Sequence, residues 1–312
     1  MKISELFARG GRPFPSLEIV PPLTGLSKDE LLESLAPLMA YNPQYINVTT
    51  HRDEFRFDPQ PDGTFLRRVV RNRVSPVAVC ASIQARFGVE VVPHVICAGM
   101  QAYEIESQLQ DFRYLGIQNV LALRGDSLVG EKRFTPTPGG YSHAIELVTA
   151  IREFEKENGG DFCIGVGGYP EKHFEAANLE TDLAYLKAKV DAGADYVVTQ
   201  MFFDNRVFFG FRDRCRAAGI TVPIIPGIKP LSTARQLTLL PESFSIDIPV
   251  ELTDAVAAAG DDKEAVYRIG TDWCIAQCKD LLAHGVPAVH FYTMGKTRNV
   301  EEVLKACFPG KE

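Results

Sequence analysis

Glu18 stands inside the apolar run Ser16-Leu-Glu-Ile-Val-Pro-Pro22. A carboxylate there is costly to ionise unless it is paired, and burial raises its pKa toward the range that a general acid needs near neutral pH. A carboxylate held by a lysine inside the fold is the other reading. Asp126 follows Arg124-Gly125, where a glycine lets the backbone come close to a ligand. An ordinary surface turn would look the same. His94, between Pro93 and Val95, is either a packed core imidazole or a ligand contact. Gln200 precedes Met201-Phe202-Phe203 and offers a donor and an acceptor in apolar surroundings, as the edge of a heterocycle requires. There is no catalytic-triad signature, P-loop or zinc spacing. Cys274 and Cys278, four apart on an expected helix, read as core packing rather than as metal ligands. One buried acid, one aspartate, and amide, hydroxyl and aromatic neighbours suit a flat, nitrogen-rich ring system better than phosphoryl transfer or metal hydrolysis.

These residues need a frame that brings them together. Eight apolar, β-branched runs read as strands: Ser16–Pro22, Tyr45–Thr50, Val89–Cys97, Asn119–Asp126, Phe162–Pro170, Tyr196–Phe203, Pro223–Ile228 and Ala288–Met294. Several are apolar at consecutive positions, the pattern of parallel strands covered on both faces. The segments between them read as helices. Ser27-Lys-Asp-Glu30 is a capping box before Leu31, Leu35 and Leu38. Ile105, Leu109, Phe112 and Leu115 end at Gly116; Leu183, Leu186 and Val190 end at Gly193; Phe208, Phe211 and Cys215 end at Gly219. Pro249 to His284 is long enough for two helices, and Lys132–Tyr141, rich in Pro and Gly, is a loop. This alternation predicts a single-domain (β/α)8 barrel of the TIM type over residues 1–312. An open doubly wound sheet is the rival, but Gly165-Val-Gly167-Gly168 lacks the third glycine of a dinucleotide fingerprint, with Pro170 in its slot. Barrel sites lie at the C-terminal ends of the strands, which here carry Glu18, Thr49, Thr50, His94, Arg124, Asp126, Tyr169, Gln200, Gly227 and Tyr292.

Composition bounds the partners. With 46% apolar and 23% charged residues the chain is an ordinary globular protein, and a formal charge of −7 leaves no basic excess for a nucleic acid. No apolar run is long enough to cross a membrane, and Met1 to Pro15 has no apolar stretch of a secretory signal. Seven scattered cysteines without a Cys-x-x-Cys pair suit reduced thiols, hence the cytoplasm.

The motifs in order resemble the methylenetetrahydrofolate reductase family, in its bacterial form of a catalytic domain alone. Glu18-Ile-Val-Pro-Pro22 is similar to the family's Glu-Phe-Phe-Pro-Pro, Asn47-Val-Thr49 to its second strand, Pro93-His94 to its third and Leu123-Arg-Gly-Asp126 to its fourth. Gly168-Tyr-Pro-Glu-Lys-His173, Asp182, Lys189, Gly193-Ala194, Thr199-Gln200-x-Phe-Phe203, Pro226-Gly-Ile-x-Pro230 and His290-Phe-Tyr-Thr293 follow at family spacing. The resemblance implies a flavin barrel holding FAD that reduces 5,10-methylenetetrahydrofolate to 5-methyltetrahydrofolate with NAD(P)H, by ping-pong hydride transfer, for methionine synthesis. It implies a homo-oligomer with no membrane or nucleic-acid partner and no metal. Glu18 takes the place of the acid that opens the imidazolidine ring, and Asp126 that of the carboxylate near both flavin and pterin. Thr49, His94, Arg124, Gly125, Asp126, His143, Ala144, Tyr169, His173, Asp182 and Lys189 map to flavin positions. Gln200, Gln236, Tyr292 and Lys296 join Glu18 and Asp126 toward the folate.

The chain departs from the pattern in places. Thr50-His51 stands where a tyrosine is common, His143 where Tyr-Ala begins, Tyr185 and Ala188 at polar positions, and Met294-Gly-Lys296 at Leu-Asn-Arg. Lys296 keeps the charge of an arginine but not its planar fork. Two other classes compete: a non-catalytic flavin- or folate-binding subunit of a methyl-transfer complex, and another barrel enzyme, either a flavin-dependent oxidoreductase or a Schiff-base aldolase. An aldolase would need a strand-borne lysine facing the barrel centre, and none of the eight runs contains one.

Overall fold

The computed structural model describes residues 1–127, 134–308 and 310. In chain order the strands are β1 (Phe14–Ile19), β2 (Tyr45–Val48), β3 (Glu54–Pro59), β4 (Phe65–Val70), β5 (Glu90–Ile96), β6 (Asn119–Leu123), β7 (Cys163–Gly168), β8 (Tyr196–Thr199), β9 (Ile224–Ile225), β10 (Gly227–Ile228) and β11 (Ala288–Tyr292). All but β3 and β4 form one parallel sheet, in the order β10-β11-β1-β2-β5-β6-β7-β8-β9. The two ends of this sheet are one chain segment: β9 pairs with β8, β10 pairs with β11, and only Pro226 separates them. Proline has no N–H to give the ladder, so the strand breaks there, while the Pro226 carbonyl still accepts from the N–H of His290 at 2.9 Å. The sheet is therefore an eight-stave barrel whose seventh stave is split. Its first and last strands pair in register, Phe14 with Ala288 through to Glu18 with Tyr292.

Side chains alternate across this wall. Leu17, Ile19, Ile46, Val48, Val91 and Val95 face outward into the main core beneath the helices. Tyr45, Val92, Leu121, Cys163, Tyr196, Val198, Ile225 and Ala288 face inward. Each fully buried aliphatic side chain contributes about 1.5–3 kcal/mol. The outer ring is α2 (Lys28–Leu35), α3 (Pro76–Phe87), α4 (Ala102–Tyr114), α5 (Ala144–Asn158), α6 (Leu179–Asp191), α7 (Asn205–Ala217), α8 (Gln236–Phe244), α9 (Val250–Ala259), α10 (Lys263–Ala283) and α11 (Arg298–Cys307). Before them α1 (Ile3–Arg9) stops the N-terminal end of the barrel, with Ile3, Leu6 and Phe7 packed on the interior cluster.

The capping box forms, with the Glu30 N–H donating to Ser27 Oγ and the Ser27 N–H to Glu30 Oε2. Gly116, Gly193 and Gly219 end their helices at φ of 72°, 117° and 78°. Of the loop expected at Lys132–Tyr141, Phe134 to Tyr141 has no helix or strand, and the first two residues lie outside the described ones.

Five features differ from the sequence reading. Most strands are shorter at their C-terminal ends. Met201-Phe202-Phe203 is buried but not in the sheet, because the Phe202 and Phe203 carbonyls accept from Gln277 Nε2 and Trp273 Nε1 of α10 instead. Asn119–Asp126 stops as a strand at Leu123, which frees Arg124 to Asp126 as rim. Helix α1 and the antiparallel hairpin β3–β4 were not anticipated. Part of the hairpin signal was present: the alternating run Glu54-Phe-Arg-Phe-Asp58 before the turn Pro61-Asp62-Gly63, with Gly63 at φ 82° and Asp62 Oδ1 accepting from the Thr64 N–H.

Candidate active site

The period of two along β1 points Phe14, Ser16 and Glu18 into the barrel. At the same upper level β2 contributes Asn47, directly paired with Glu18, and β11 contributes His290 and Tyr292. On β5 the inward residue is His94. Glu18 Oε2 lies 3.5 Å from His94 Nε2 and 3.7 Å from His290 Nε2. His290 is fully buried, and its Nδ1 is 2.9 Å from Ser16 Oγ. Among the described residues no lysine pairs with Glu18; its ionisable neighbours are the two histidines.

Burial pushes the His94 imidazole down to about 4, against the opposing pull of Glu18. At neutral pH the Glu18–His94 contact is therefore a carboxyl group beside a neutral ring rather than an ion pair. His94 Nε2, His290 Nε2 and both ends of the Asn47 amide have no hydrogen-bond partner among the described residues. Buried polar atoms are rarely left so.

Space above this layer comes from glycine. A Cβ on Gly227 would stand 2.5 Å from the Tyr292 ring, so only glycine lets that tyrosine cross the barrel and donate its hydroxyl to the Thr199 carbonyl at 2.6 Å. Gly125 has φ +82°, and a Cβ there would meet Ala98 Cβ at 2.7 Å. The rim after β6 is thus closed to any larger residue.

Around that rim, Arg124 pairs with Glu175 and lies over the Phe134 ring at 4.9 Å. Asp126 is exposed. His51 is exposed, its imidazole lowered by partial desolvation and by Arg73 against the opposing charges of Asp126 and Glu18, with its Nε2 3.0 Å from Thr49 Oγ1. Thr50 donates to the His94 carbonyl. Tyr169 stands edge-on to His173 at 4.7 Å, and the His173 N–H donates to Asp182 Oδ2 at 3.0 Å. Lys189 donates to the Gly167 carbonyl at 2.6 Å, and burial pushes its amine down to about 8. Gln200 is half-buried after β8, its side-chain oxygen accepting from the Met201 N–H.

The remaining candidates lie further out. His143 is exposed as the N-cap of α5, beside Glu146, and Ala144 opens that helix. Gln236 Oε1 accepts from the N–H groups of Ser232 and Thr233, so only its NH2 end is left for a ligand. Lys296 is exposed on the loop after β11. Ser16 and His290 were missed as site residues, although the period of two back from Glu18 and from Tyr292 marks both. Lys229 was missed because the seventh run was ended one residue before it; it is 2% exposed at the end of β10.

The family model described as methylenetetrahydrofolate reductase matches residues 2–307. The chain belongs to that family. It is 33% identical over 281 residues to 5,10-methylenetetrahydrofolate reductase of Escherichia coli (strain K12), covering 90% of this chain and 86% of the relative. It is 36% identical over 312 residues to methylenetetrahydrofolate reductase (NADH) 1 of Arabidopsis thaliana, covering 97% of this chain and 49% of that one. The chain spans about half the length of the plant relatives it matches. Among solved structures, an uncharacterised protein from Clostridium thermocellum that binds two copies of 5-methyl-5,6,7,8-tetrahydrofolic acid has the same fold, with a TM-score of 0.58, 11% identity, and coverage of 97% of this chain and 96% of that one. Family membership agrees with the order of motifs along the strands.

Proposed function

We propose that the protein reduces 5,10-methylenetetrahydrofolate to 5-methyltetrahydrofolate with a nicotinamide as reductant and FAD as cofactor. The observation that carries this reading is the Glu18 carboxyl set between the His94 and His290 rings at the barrel mouth. A proton from Glu18 to a nitrogen of the five-membered ring turns that nitrogen into a leaving group, and the ring opens to an iminium that can take a hydride. Asp126 at the rim supplies the negative charge that steadies the cationic substrate, and Gln200 offers both hydrogen-bond polarities to the pterin edge. Gln236, Tyr292 and Lys296 lie on the same side for the rest of the folate.

The residues fit FAD. The orphaned His94 Nε2 and Asn47 amide leave polar groups for a flat ring. Thr49, His94, Arg124, Gly125, Asp126, His143, Ala144, Tyr169, His173, Asp182 and Lys189 would hold it, with Arg124 and Lys189 as its cations. FAD, when bound, stores two electrons between donor and acceptor. The reading takes residues 1–312 as one catalytic barrel, in the cytoplasm and as a homo-oligomer. The seven free thiols, six of them buried, support a reducing compartment.

The test is anaerobic. Purified protein should show flavin absorbance that NADH or NADPH bleaches and that methylenetetrahydrofolate restores, with one 5-methyltetrahydrofolate formed per flavin. A bleached flavin that the folate does not re-oxidise would overturn the reading.

A further inference from the structure

β3 and β4 pair as an antiparallel ribbon, Phe55 with Val69, Phe57 with Arg67 and Pro59 with Phe65, while Arg56 faces Arg68 and Asp58 faces Leu66. Side chains alternate along a strand, so these two sets stand on opposite faces of the ribbon. The second face is charged and balanced within itself: Arg56 Nε and Arg68 Nε both lie 2.7 Å from the Asp58 carboxylate. The first is apolar apart from Arg67, whose guanidinium lies over the Phe55 ring at 4.5 Å. It is also uncovered. Phe57, Phe65 and Val69 are 59%, 66% and 62% exposed, and no residue of this face belongs to a hydrophobic core of the chain. The ribbon is tied to the barrel at its base, where the Thr24 N–H donates to the Asn72 carbonyl and the Val74 N–H to that of Pro22. Leu23 and Leu26, half exposed beside that base, extend the apolar surface.

A two-stranded ribbon is marginal by itself in water, and a contiguous apolar patch on a soluble chain marks a contact surface. What covers such a ribbon is another sheet face, which packs flat against it at about 10 Å. Among the described residues the chain has none to offer. All its other strands lie in the barrel wall, filled on the inside and covered by helices on the outside. The same ribbon in a second copy is such a face, and a two-fold axis lets each cover the other. The area agrees. At roughly 200 Å² for a whole phenylalanine side chain, the exposed parts of Phe55, Phe57, Phe65 and Val69 come to about 400 Å². One side of a stable dimer buries about 800 Å², of which about 450 Å² is apolar.

We infer that the apolar face of β3–β4 is a self-association surface, on which two copies of this chain pack ribbon on ribbon. The inference rests on the homo-oligomer reading and names the surface that makes the contact. The charged face stays in solvent.

The test measures the mass of the purified full chain in solution, by sedimentation or light scattering over a range of concentrations. Wild type should associate. Phe57→Ser and Phe65→Ser should each weaken association at least ~10-fold, as aromatic residues at the centre of an interface do, and together they should halve the mass of the species. Circular dichroism should stay as in wild type, because neither ring is part of a core. Leu66→Ser, on the charged face, is the control and should leave association unchanged. A monomeric wild type overturns the inference together with the homo-oligomer reading. An associated wild type whose mass and affinity the two serine variants leave unchanged overturns the inference alone, as does an equal loss in Leu66→Ser. Should the double variant fail to fold, the two single variants decide by the same measurement.

Discussion

Glu18 Oε2 and His290 Nε2 stand 3.7 Å apart although they come from opposite ends of the chain. They meet because β1 and β11 pair in register, which also brings Ser16 Oγ to 2.9 Å from the other ring nitrogen of His290. A carboxyl, an imidazole and a hydroxyl thus stand side by side on the inner wall, with His290 hydrogen-bonded to Ser16 but not to Glu18.

Glu18→Gln keeps the shape and the hydrogen-bonding capacity of the side chain but holds no acidic proton. It should retain FAD and be reduced by the nicotinamide at a rate near wild type, while the folate half-reaction slows by at least ~10²-fold. Single-turnover stopped-flow of each half-reaction separates the two. Normal re-oxidation by methylenetetrahydrofolate would remove Glu18 from the mechanism.

Asp126 is exposed at a rim that only glycine can precede. A negative charge beside a flavin disfavours the extra charge of the reduced ring and favours a cationic substrate. Asp126→Asn should therefore raise the flavin potential, speed reduction by nicotinamide and slow transfer to folate by ~10-fold or more. A redox titration with the same stopped-flow assay checks it; slowing of both half-reactions at an unchanged potential is the contrary outcome.

Gln200 precedes three buried residues that fix its backbone, Met201, Phe202 and Phe203. In the proposed reaction each ligand must bring its reacting carbon to about 3–3.5 Å of the same flavin nitrogen, so the two rings take turns. Steady-state plots should then be parallel, and Gln200→Ala should weaken folate more than nicotinamide because the pterin edge offers more hydrogen-bonding groups. Intersecting lines would contradict a shared site.

Glu171 sits on the loop between Tyr169 and His173. Burial, with Asp247 and Asp204 nearby, pushes its carboxyl up to about 7 from the ordinary 4.5, against the Asp247 N–H bonded to it at 3.1 Å. Between those values the folded protein keeps a proton that the unfolded chain releases, so stability falls as pH rises through this window. Glu171→Gln should melt with wild type near pH 4 and above it at pH 8. An equal difference at both pH values would show that the loop is not destabilised by this charge.

Much of the barrel was legible because its determinants are local. Apolar runs at consecutive positions mark strands covered on both faces, and apolar residues at helical spacing closed by Gly116, Gly193 and Gly219 mark the helices between them. Alternation then brought Glu18, His94 and Tyr292 to one end of one wall without any knowledge of contacts. The hairpin β3–β4 is the exception among local features: its apolar residues, such as Phe57 and Phe65, are exposed, so it carries no core pattern.

What only the tertiary structure decided is non-local. That Pro226 splits a stave yet leaves the barrel closed depends on its two halves finding different neighbours, β8 and β11. The polar line through Ser16, His290 and Glu18 depends on pairing between the first and last strands. The raised carboxyl of Glu171 and the lowered amine of Lys229 depend on what surrounds each group. A sequence states which residues can ionise; burial and neighbouring charge, set when the sheet closes, decide what it costs them to do so.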